Sequence, residues 1–592
     1  KKAYFNFRAR QCTSWLNLYS SGIISKKVVD IPLHLQIPDD INTFFIKSVP
    51  NLNGNIDRVI RFYNSGKLNA NIPEFKFQTV TPDQIFDIIL NLKSNACGVD
   101  NFNVKFIKLC CPFLIPFITH LVNTAILECE FPSLWKRAIV KPIPKILKPG
   151  SYSDLRPISI LPMLSKVLER CLELQIRNFV TQFNLLPEMQ SGFRPNHSCS
   201  TALAHVMDDI LCAIDGGKIT VLVLLDYSKA FDTIDHNILL AVLRHLGFGN
   251  CALNLMKSFL EGRSQLVSLN HNTFSNVLTV KSGVPQGSIL GPLLYTLYTS
   301  QLHKVLKTCS YNLYADDTQL YYSFFKHELH NACTKINADL SFLYSHSKDH
   351  NLLLNPKKSV ALVFGAGALL SAENVKLRID DVPITVKNVA KNLGLCVDSD
   401  LRFREHVRNC IRKAYGNLKC LYPHRAFLSV KTKKMLCDSL VLSQFNHCDM
   451  VYGPCLDAAS DKRIQVVQND CVRFIFGLRR RSHISHKLRE LAWLNMSQRR
   501  KLHSLCVYHS LITTGFPKYL NNKIRYRTDV HNVNIRGKGL LSMPSFKFIS
   551  KSAYLKSFSY NAVVMYNALS PELKRLPLKL FKYRMTSLML DD

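Results

Sequence analysis

A chain of 592 residues is too long for one hydrophobic core and is expected to divide into roughly two to four domains. Its 47% hydrophobic content excludes a disordered polar chain, and no run in the sequence approaches the roughly 20 consecutive apolar residues of a membrane span. The net charge of +34 is unevenly placed: residues 401–592 hold 35 Lys and Arg against 11 Asp and Glu, which points to a polyanion, nucleic acid first.

Nineteen cysteines, two of them adjacent at Cys110 and Cys111, show no repeated spacing and no CxxC pair, so reduced intracellular thiols are expected rather than a disulfide framework. His503, Cys506 and His509 have metal-like chemistry, but their spacing of three reads as one face of a helix. The chain opens on Lys, as expected of a piece of a longer product, and carries no secretory signal at its start.

In chain order, residues 1–75 are mixed and polar, with one helix around Asp39–Phe45 and no visible chemistry. Thr81-Pro82-Asp83 is a capping signal for a helix to Leu92, and a second helix, Asn103 to about Leu127, is expected to break near Pro112 and Pro116. Trp135–Lys145 is strand-like, but Pro142 and Pro144 make it an edge or a hairpin rather than a central strand. Helices follow at about Leu164–Phe183 and Ser200–Ile214, the second introduced by the loop Gln190-Ser-Gly-Phe-Arg194. Lys218–Tyr227 reads as a fully buried strand with Asp226 near its end. A hairpin at 265–281 leads to the loop Ser282–Pro292, and a further helix runs to about Leu306. Aromatic and aliphatic residues flank Tyr314-Ala-Asp-Asp317 on both sides, which predicts two short strands with the acids at the turn. A helix at 327–347, a strand Val360–Phe364 and a short β section ending at Asp398 precede a mainly helical, basic remainder.

Asp226 on a buried strand and Asp316 and Asp317 at a turn both fit the centre of one antiparallel sheet with helices packed on one face. Adjacent carboxylates repel each other, so a fold that gathers three of them calls for a cation. Oxygen-only ligands favour Mg²⁺ or Mn²⁺ over zinc, in the arrangement that serves in-line phosphoryl transfer. An isolated Ala-Asp-Asp reads equally as a surface turn.

With these motifs in order, the sequence resembles reverse transcriptases of non-LTR retrotransposons, close to the Jockey-like insect elements. The resemblance is carried by Trp135–Lys145, Leu155-Arg-Pro-Ile-Ser159, Gln190–Arg194, Leu225-Asp-Tyr-Ser-Lys-Ala-Phe231, Gly283-Val-Pro-Gln-Gly-Ser288, Tyr314–Asp317, Leu354-Asn-Pro-Lys-Lys358 and Leu393-Gly-Leu395. It is strong over about residues 80–400. Tyr566-Asn-Ala-Leu-Ser570 with Pro571 looks like the family's ending.

The resemblance implies an α+β right-hand polymerase: fingers and palm, with an antiparallel sheet carrying the carboxylates, then a helical thumb and C-terminal region. The boundaries implied are an N-terminal extension at 1–75, fingers and palm at 76–365, palm end and thumb at 366–480, and a basic region at 481–592. It implies that Asp226, Asp316 and Asp317 are catalytic and hold Mg²⁺ or Mn²⁺. Arg156, with Lys145 second, would bind the triphosphate. Phe231 would be the steric gate against a ribose 2′-OH, with core packing as the rival reading. Gln286 and Gly287 would approach the nucleotide and template, glycine allowing close backbone approach. Lys358 would protonate pyrophosphate, with Lys357 beside it as rival. Leu393, Gly394 and Leu395 would support the primer end, which a side chain bulkier than Ala315 would crowd.

The implied partners are an element RNA template, a DNA primer or target and dNTPs, with no membrane. The implied localisation is intracellular, with action in the nucleus at a nicked chromosomal target. An endonuclease domain is expected upstream and is absent from this chain. Arg479-Arg480-Arg481 reads as a nuclear-localisation patch or a helix-end cluster. The alternatives are an inactive RNA-binding relic of such an element, against which the intact carboxylates weigh, and a group II intron maturase-like protein or RNA-templated RNA polymerase, against which Phe231 and the Leu-Gly-Leu turn weigh.

Overall fold

The computed structural model describes residues 31–49, 54–69, 71–269, 273–365, 374–530, 540–543 and 552–591, so residues 1–30 of the expected N-terminal extension lie outside the described residues. Ten strands carry the architecture: β1 (Arg137–Pro144), β2 (Leu155–Ile160), β3 (Ile219–Leu225), β4 (Tyr227–Ser228), β5 (Arg263–Val267), β6 (Leu278–Val280), β7 (Ser310–Tyr314), β8 (Asp317–Phe324), β9 (Leu353–Leu354) and β10 (Val360–Phe364). A four-stranded sheet has the order β2-β1-β5-β6. A five-stranded sheet has the order Thr385–Val386, β10, β3, β8, β7, with β3 antiparallel to both neighbours.

The prolines of β1 explain its pairing. Only Arg137–Val140 pair with β5, while β2 pairs with Ile139–Pro144. The first half is therefore a central strand, contrary to the edge or hairpin expected, and the part containing Pro142 and Pro144 is an edge because neither can donate to a second neighbour.

The larger sheet is covered on both faces. Val221, Val223 and Leu225 of β3, with Leu320 of β8 and Val363 of β10, enter one hydrophobic core; this core includes the helices Met163–Gln182, His236–His245, Asn250–Leu260, Gly291–Tyr298 and Leu329–Asp349. Leu222, Tyr321, Leu362 and Phe364 enter a second core, built on Cys199–Asp215 and the helices Arg404–Leu421, Ala458–Phe476, Met496–Thr514 and Phe558–Asn567. The expectation of helices on one face is thus corrected. β3 has no alternating polar face to show to water, so both sides need cover.

Thr81 and Gln84 form the capping box foreseen at the helix Pro82–Asn91. The helix Val104–Leu127 corrects two expectations: it runs through Pro112 and Pro116, and its 24 residues, 18 of which in a row have mean hydropathy 1.7, are long and apolar enough to cross a membrane. One face, including Val104, Ile107, Ile118 and Val122, is nevertheless buried in the first core, as in the core helix of a globular domain.

A buried polar network ties the C-terminal part to the back of the larger sheet. Lys523 Nζ donates to Asp208 at 2.9 Å and Asp209 at 2.5 Å, and the Tyr321 hydroxyl of β8 donates to Asp209 at 2.5 Å. Asp208 also accepts from the backbone and hydroxyl of Ser559, at 2.8 and 2.6 Å. Burial pushes the Lys523 ammonium down, but the two carboxylates outweigh it and hold the group above its ordinary value. Lys523→Met would leave Asp208, whose side chain is 2% exposed, without its cation. We expect a loss of about 3 kcal/mol in urea unfolding, and an unchanged midpoint would refute this role for the pair.

Candidate active site

Asp226 follows the last residue of β3. Its carbonyl accepts from Asn355 N at 2.9 Å, and its N–H donates to Ser359 Oγ at 3.5 Å, so the turn Asn355–Ser359 fixes its backbone. The ladder of β3 with β8 ends at the pair Leu225↔Thr318, whose chain neighbours are Asp226 and Asp317, so the two acids lie at the same end of the sheet. Asp317 opens β8 opposite Tyr314, which leaves Ala315 and Asp316 as a two-residue turn, with Ala315 at φ 56°. A positive φ at the first turn position matches hairpin twist but is strained for alanine.

That turn is held from behind. Met189 and Ser191 bracket Leu313 of β7, with Leu313 N to Met189 O at 3.0 Å and Ser191 N to Leu313 O at 2.7 Å. Gly192 then passes so close to the hairpin tip that a Cβ would lie 2.1 Å from Ala315 N. Ser191 Oγ is in turn hydrogen-bonded to the Tyr519 hydroxyl at 2.9 Å, and Tyr519 donates to Thr201 at 3.2 Å.

One cavity of about 620 Å³ is lined by Asp226, Asp316, Arg156, Lys145, Phe231, Gln286, Gly287 and Lys358. Eight of the twelve anticipated residues therefore converge. Asp317 is not on that wall, and Lys391 is the cation that counters its charge. Leu393 (φ 45°) and Gly394 (φ 88°) form the tight turn between the strands Val389–Asn392 and Leu395–Asp398, and Leu395 is fully buried. Asn392 Nδ2 donates to Gln319 Oε1 of β8 at 2.9 Å, which ties this turn to the strand that begins with Asp317.

Phe231 is half-buried; its ring stacks on Tyr295 with centroids 4.7 Å apart and meets Phe193 edge-on at 6.1 Å. Gln286 donates from Nε2 to Asp232 at 2.8 Å, while its carbonyl accepts from Ser159 N at 2.8 Å. Gly287 has φ 131°, and a Cβ there would lie 2.3 Å from Ser159 O. The close approach that glycine permits is thus to strand β2.

Lys145 Nζ donates to Ser153 O at 2.8 Å, and Lys358 Nζ lies 3.8 Å from Asp226 Oδ2. Lys357 does not line the cavity. Burial first, then repulsion from Lys358 and Arg156, pushes the Lys145 ammonium down. Burial raises the Asp226 carboxyl, partly offset by Lys358 and Lys145, and raises Asp316, to which Asp226 adds repulsion. Asp317, desolvated and repelled by Asp316 and Asp226, is pushed up to about 6.

Three carboxylates that resist ionisation, countered only in part by Lys358, Lys145, Arg156 and Lys391, are a donor set that a divalent cation would relieve. Among the described residues, no three His, Cys, Asp or Glu side chains form a ready-made cage. The oxygen-only donors Asp226 and Asp316 fit Mg²⁺, which takes one or two carboxylates and completes its shell with phosphates and water. His503 and His509 have other partners: His503 pairs with Asp449 at 2.5 Å, and His509 donates to Leu576 O at 2.7 Å and stacks on Phe581 at 4.1 Å.

Some site residues escaped the sequence reading. Phe44 and Phe45, from the helix Pro38–Lys47, line the cavity, and Lys229 Nζ lies 4.7 Å over the Phe44 ring and donates to Ser48 O at 3.1 Å. The N-terminal segment thus belongs to the site. The signal was the unpartnered apolar face of that short helix. Asp232, which holds Gln286, was visible only as a neighbour of Phe231.

Residues 146–396 match the family described as "Reverse transcriptase (RNA-dependent DNA polymerase)". The chain carries a reverse transcriptase domain of the Jockey-like non-LTR group. The similar proteins include one named "Probable RNA-directed DNA polymerase from transposon X-element" of Drosophila melanogaster, 31% identical over 67% of this chain and 44% of that protein. Another is the "RNA-directed DNA polymerase from mobile element jockey" of the same species, 26% identical over 71% of this chain and 46% of that protein. The chain spans under half the length of these relatives. The matched reverse transcriptase segment contains every anticipated site residue except Lys145, one residue before its start.

Two predictions follow from this geometry. Because the folded Asp317 binds its proton more tightly than an unfolded aspartate, it destabilises the metal-free fold as pH rises from about 4 through 6. Asp317→Asn should therefore raise the thermal midpoint at pH 7 but not at pH 4, in EDTA. Gly192→Ala should push the hairpin tip and lower unfolding stability by about 1–3 kcal/mol; a neutral effect would show that the tip yields freely.

Proposed function

We propose that this chain is an RNA-directed DNA polymerase that extends a DNA 3′-hydroxyl on an RNA template by two-metal nucleotidyl transfer, at a nicked chromosomal target in the nucleus. The observation that carries this reading is the convergence of Asp226, Asp316, Arg156, Phe231, Gln286 and Lys358, all within the matched reverse transcriptase segment, on one cavity that Lys145 also lines. The five-stranded sheet would be the palm, the β1–β6 sheet the fingers, and the helices from Arg404 onward the thumb. The boundaries 1–75, 76–365, 366–480 and 481–592 belong to the same proposal.

Asp226 and Asp316 would hold Mg²⁺ or Mn²⁺, with Asp317 as third carboxylate. When bound, the ions would activate the attacking hydroxyl and stabilise the leaving pyrophosphate. Arg156 and Lys145, which line the same cavity as Asp226 and Asp316, would take the triphosphate, Arg156 by charge-assisted hydrogen bonds. Lys145, its proton affinity reduced by burial and two cations, gains most from an arriving polyanion. Lys358, the cavity-lining member of the lysine pair, would give a proton to pyrophosphate. Phe231, fixed from behind by Tyr295, would present its ring edge to the sugar and exclude a 2′-hydroxyl. Gln286 and Gly287 would border the nucleotide and template, and the turn Leu393–Leu395 would support the primer end. Element RNA, a DNA primer or target and dNTPs are the partners.

Extension of a DNA primer on an RNA template by the purified chain, with dNTPs and Mg²⁺, tests the activity. Asp316→Asn should lower the rate at least ~100-fold; full activity would sink the carboxylate assignment. Phe231→Ala should admit ribonucleotides while dNTP extension persists, and unchanged sugar selectivity would return Phe231 to core packing.

A further inference from the structure

We propose that a groove on the C-terminal helices, separate from the catalytic cavity, binds one unpaired nucleotide of a single-stranded nucleic acid. The helix Arg404–Leu421 sets Tyr415, Leu418 and Lys419 at i, i+3 and i+4, and Tyr422 continues the same face at i+7. Asp470 and Arg473 of the helix Ala458–Phe476 face them. Gly477, at φ 76°, ends that helix and turns the chain so that Leu478 and Arg480 close the groove. The enclosed volume is about 560 Å³, within the range of small-ligand sites, and none of its walls is shared with the carboxylate cavity.

The chemistry of the walls selects the ligand. Tyr415 and Tyr422 are 37% and 45% exposed, although they continue the face on which Leu418 is buried. Both rings are nonetheless fixed: Tyr415 OH donates to Asp470 at 2.8 Å, and Tyr422 packs on Phe474 with centroids 5.1 Å apart. Fixed, open aromatic faces offer stacking with little ordering cost. Asp470 is matched by Arg473 at 2.9 Å, which leaves Lys419 and Arg480 as the excess positive charge. Two aromatic planes with two uncompensated cations suit a base with its phosphate; an acidic peptide would use the cations and leave the rings bare. This gives Arg480 of the Arg479–Arg481 run a ligand-facing place in the fold. The surroundings agree, since residues 401–592 carry a net charge of +24.

The test uses the full chain in EDTA, saturated with a primer–template duplex so that the polymerase cleft is filled and no polymerisation occurs. Fluorescent ribo- and deoxy-pentanucleotides are then titrated. One further oligonucleotide should bind per chain, and tighter binding of the ribo or deoxy form supports the site and assigns the strand it serves. Tyr415→Leu with Tyr422→Leu should weaken binding about ten-fold. Arg480→Gln, which leaves the packing alone, should reduce the salt dependence by about 0.7 in the log–log slope. The proposal is overturned by any of three results: no additional equivalent, equal binding of an abasic oligonucleotide, or equal competition by polyglutamate. The readout is binding without metal, so its failure leaves the polymerase reading standing, and a failure of primer extension leaves the groove standing.

Discussion

Repulsion among three carboxylates at the end of one sheet is the constraint on which the rest of this structure depends. Asp226 and Asp317 adjoin the last pair of the β3–β8 ladder, and Asp316 occupies the adjoining turn. Left to themselves, the acids would favour protonation or a looser hairpin. The fold opposes both outcomes with backbone. Asn355 and Ser359 fix the strand end behind Asp226, and Met189–Gly192 pins the hairpin from the other side. The site is therefore kept in an electrostatically unfavourable state that a divalent cation would relieve, and stability is given up at the point where chemistry is placed.

The walls of the cavity come from segments far apart in sequence, held together by main-chain contacts more than by side chains. The loop Gly283–Gly287 is joined to Phe231 by Val284 N to Phe231 O at 3.0 Å, and to β2 by Ser159 N to Gln286 O at 2.8 Å. Glu169, fully buried, accepts from Ile289 N at 2.7 Å and Leu290 N at 3.2 Å, which anchors the far end of the same loop. Its carboxyl is raised by burial against these hydrogen bonds and Arg263. Arg156, Phe231 and Gln286 thus occupy one framework, and a shift of β2 relative to the loop would move all three.

Much of the site was legible because its signals are local. The alternation around Tyr314–Asp317 specified a hairpin and the unbroken apolar run Thr220–Leu225 specified a buried strand, while the turn at Leu393-Gly394 was implied by the family resemblance. What was not legible is long-range. Nothing near β3 says what covers its second face, because that layer comes from helices after Arg404. Phe44 belongs to the site through packing against Lys229 and Tyr152, at 4.7 and 5.8 Å from its ring, and Phe45 through the small core it shares with Val140, Leu155 and Val267. Gly287 was assigned to a ligand from its loop, whereas the atom that requires glycine is a carbonyl of another strand. Pro112 and Pro116 were read as breaks, yet burial of one face of Val104–Leu127 outweighs the local penalty.

The contact between Tyr519 and Ser191 has a consequence in time as well as in space. Ser191 grips β7, and β7 carries the carboxylate turn, so the support for Asp316 comes from a residue made roughly 200 positions later. At synthesis rates of about 5–20 residues per second, some 10–40 s separate the two on the ribosome. During that interval the growing chain has its carboxylate hairpin but not the hydroxyl that braces the strand beside it. The brace would thus be completed only after Tyr519 has emerged and folded back onto Ser191.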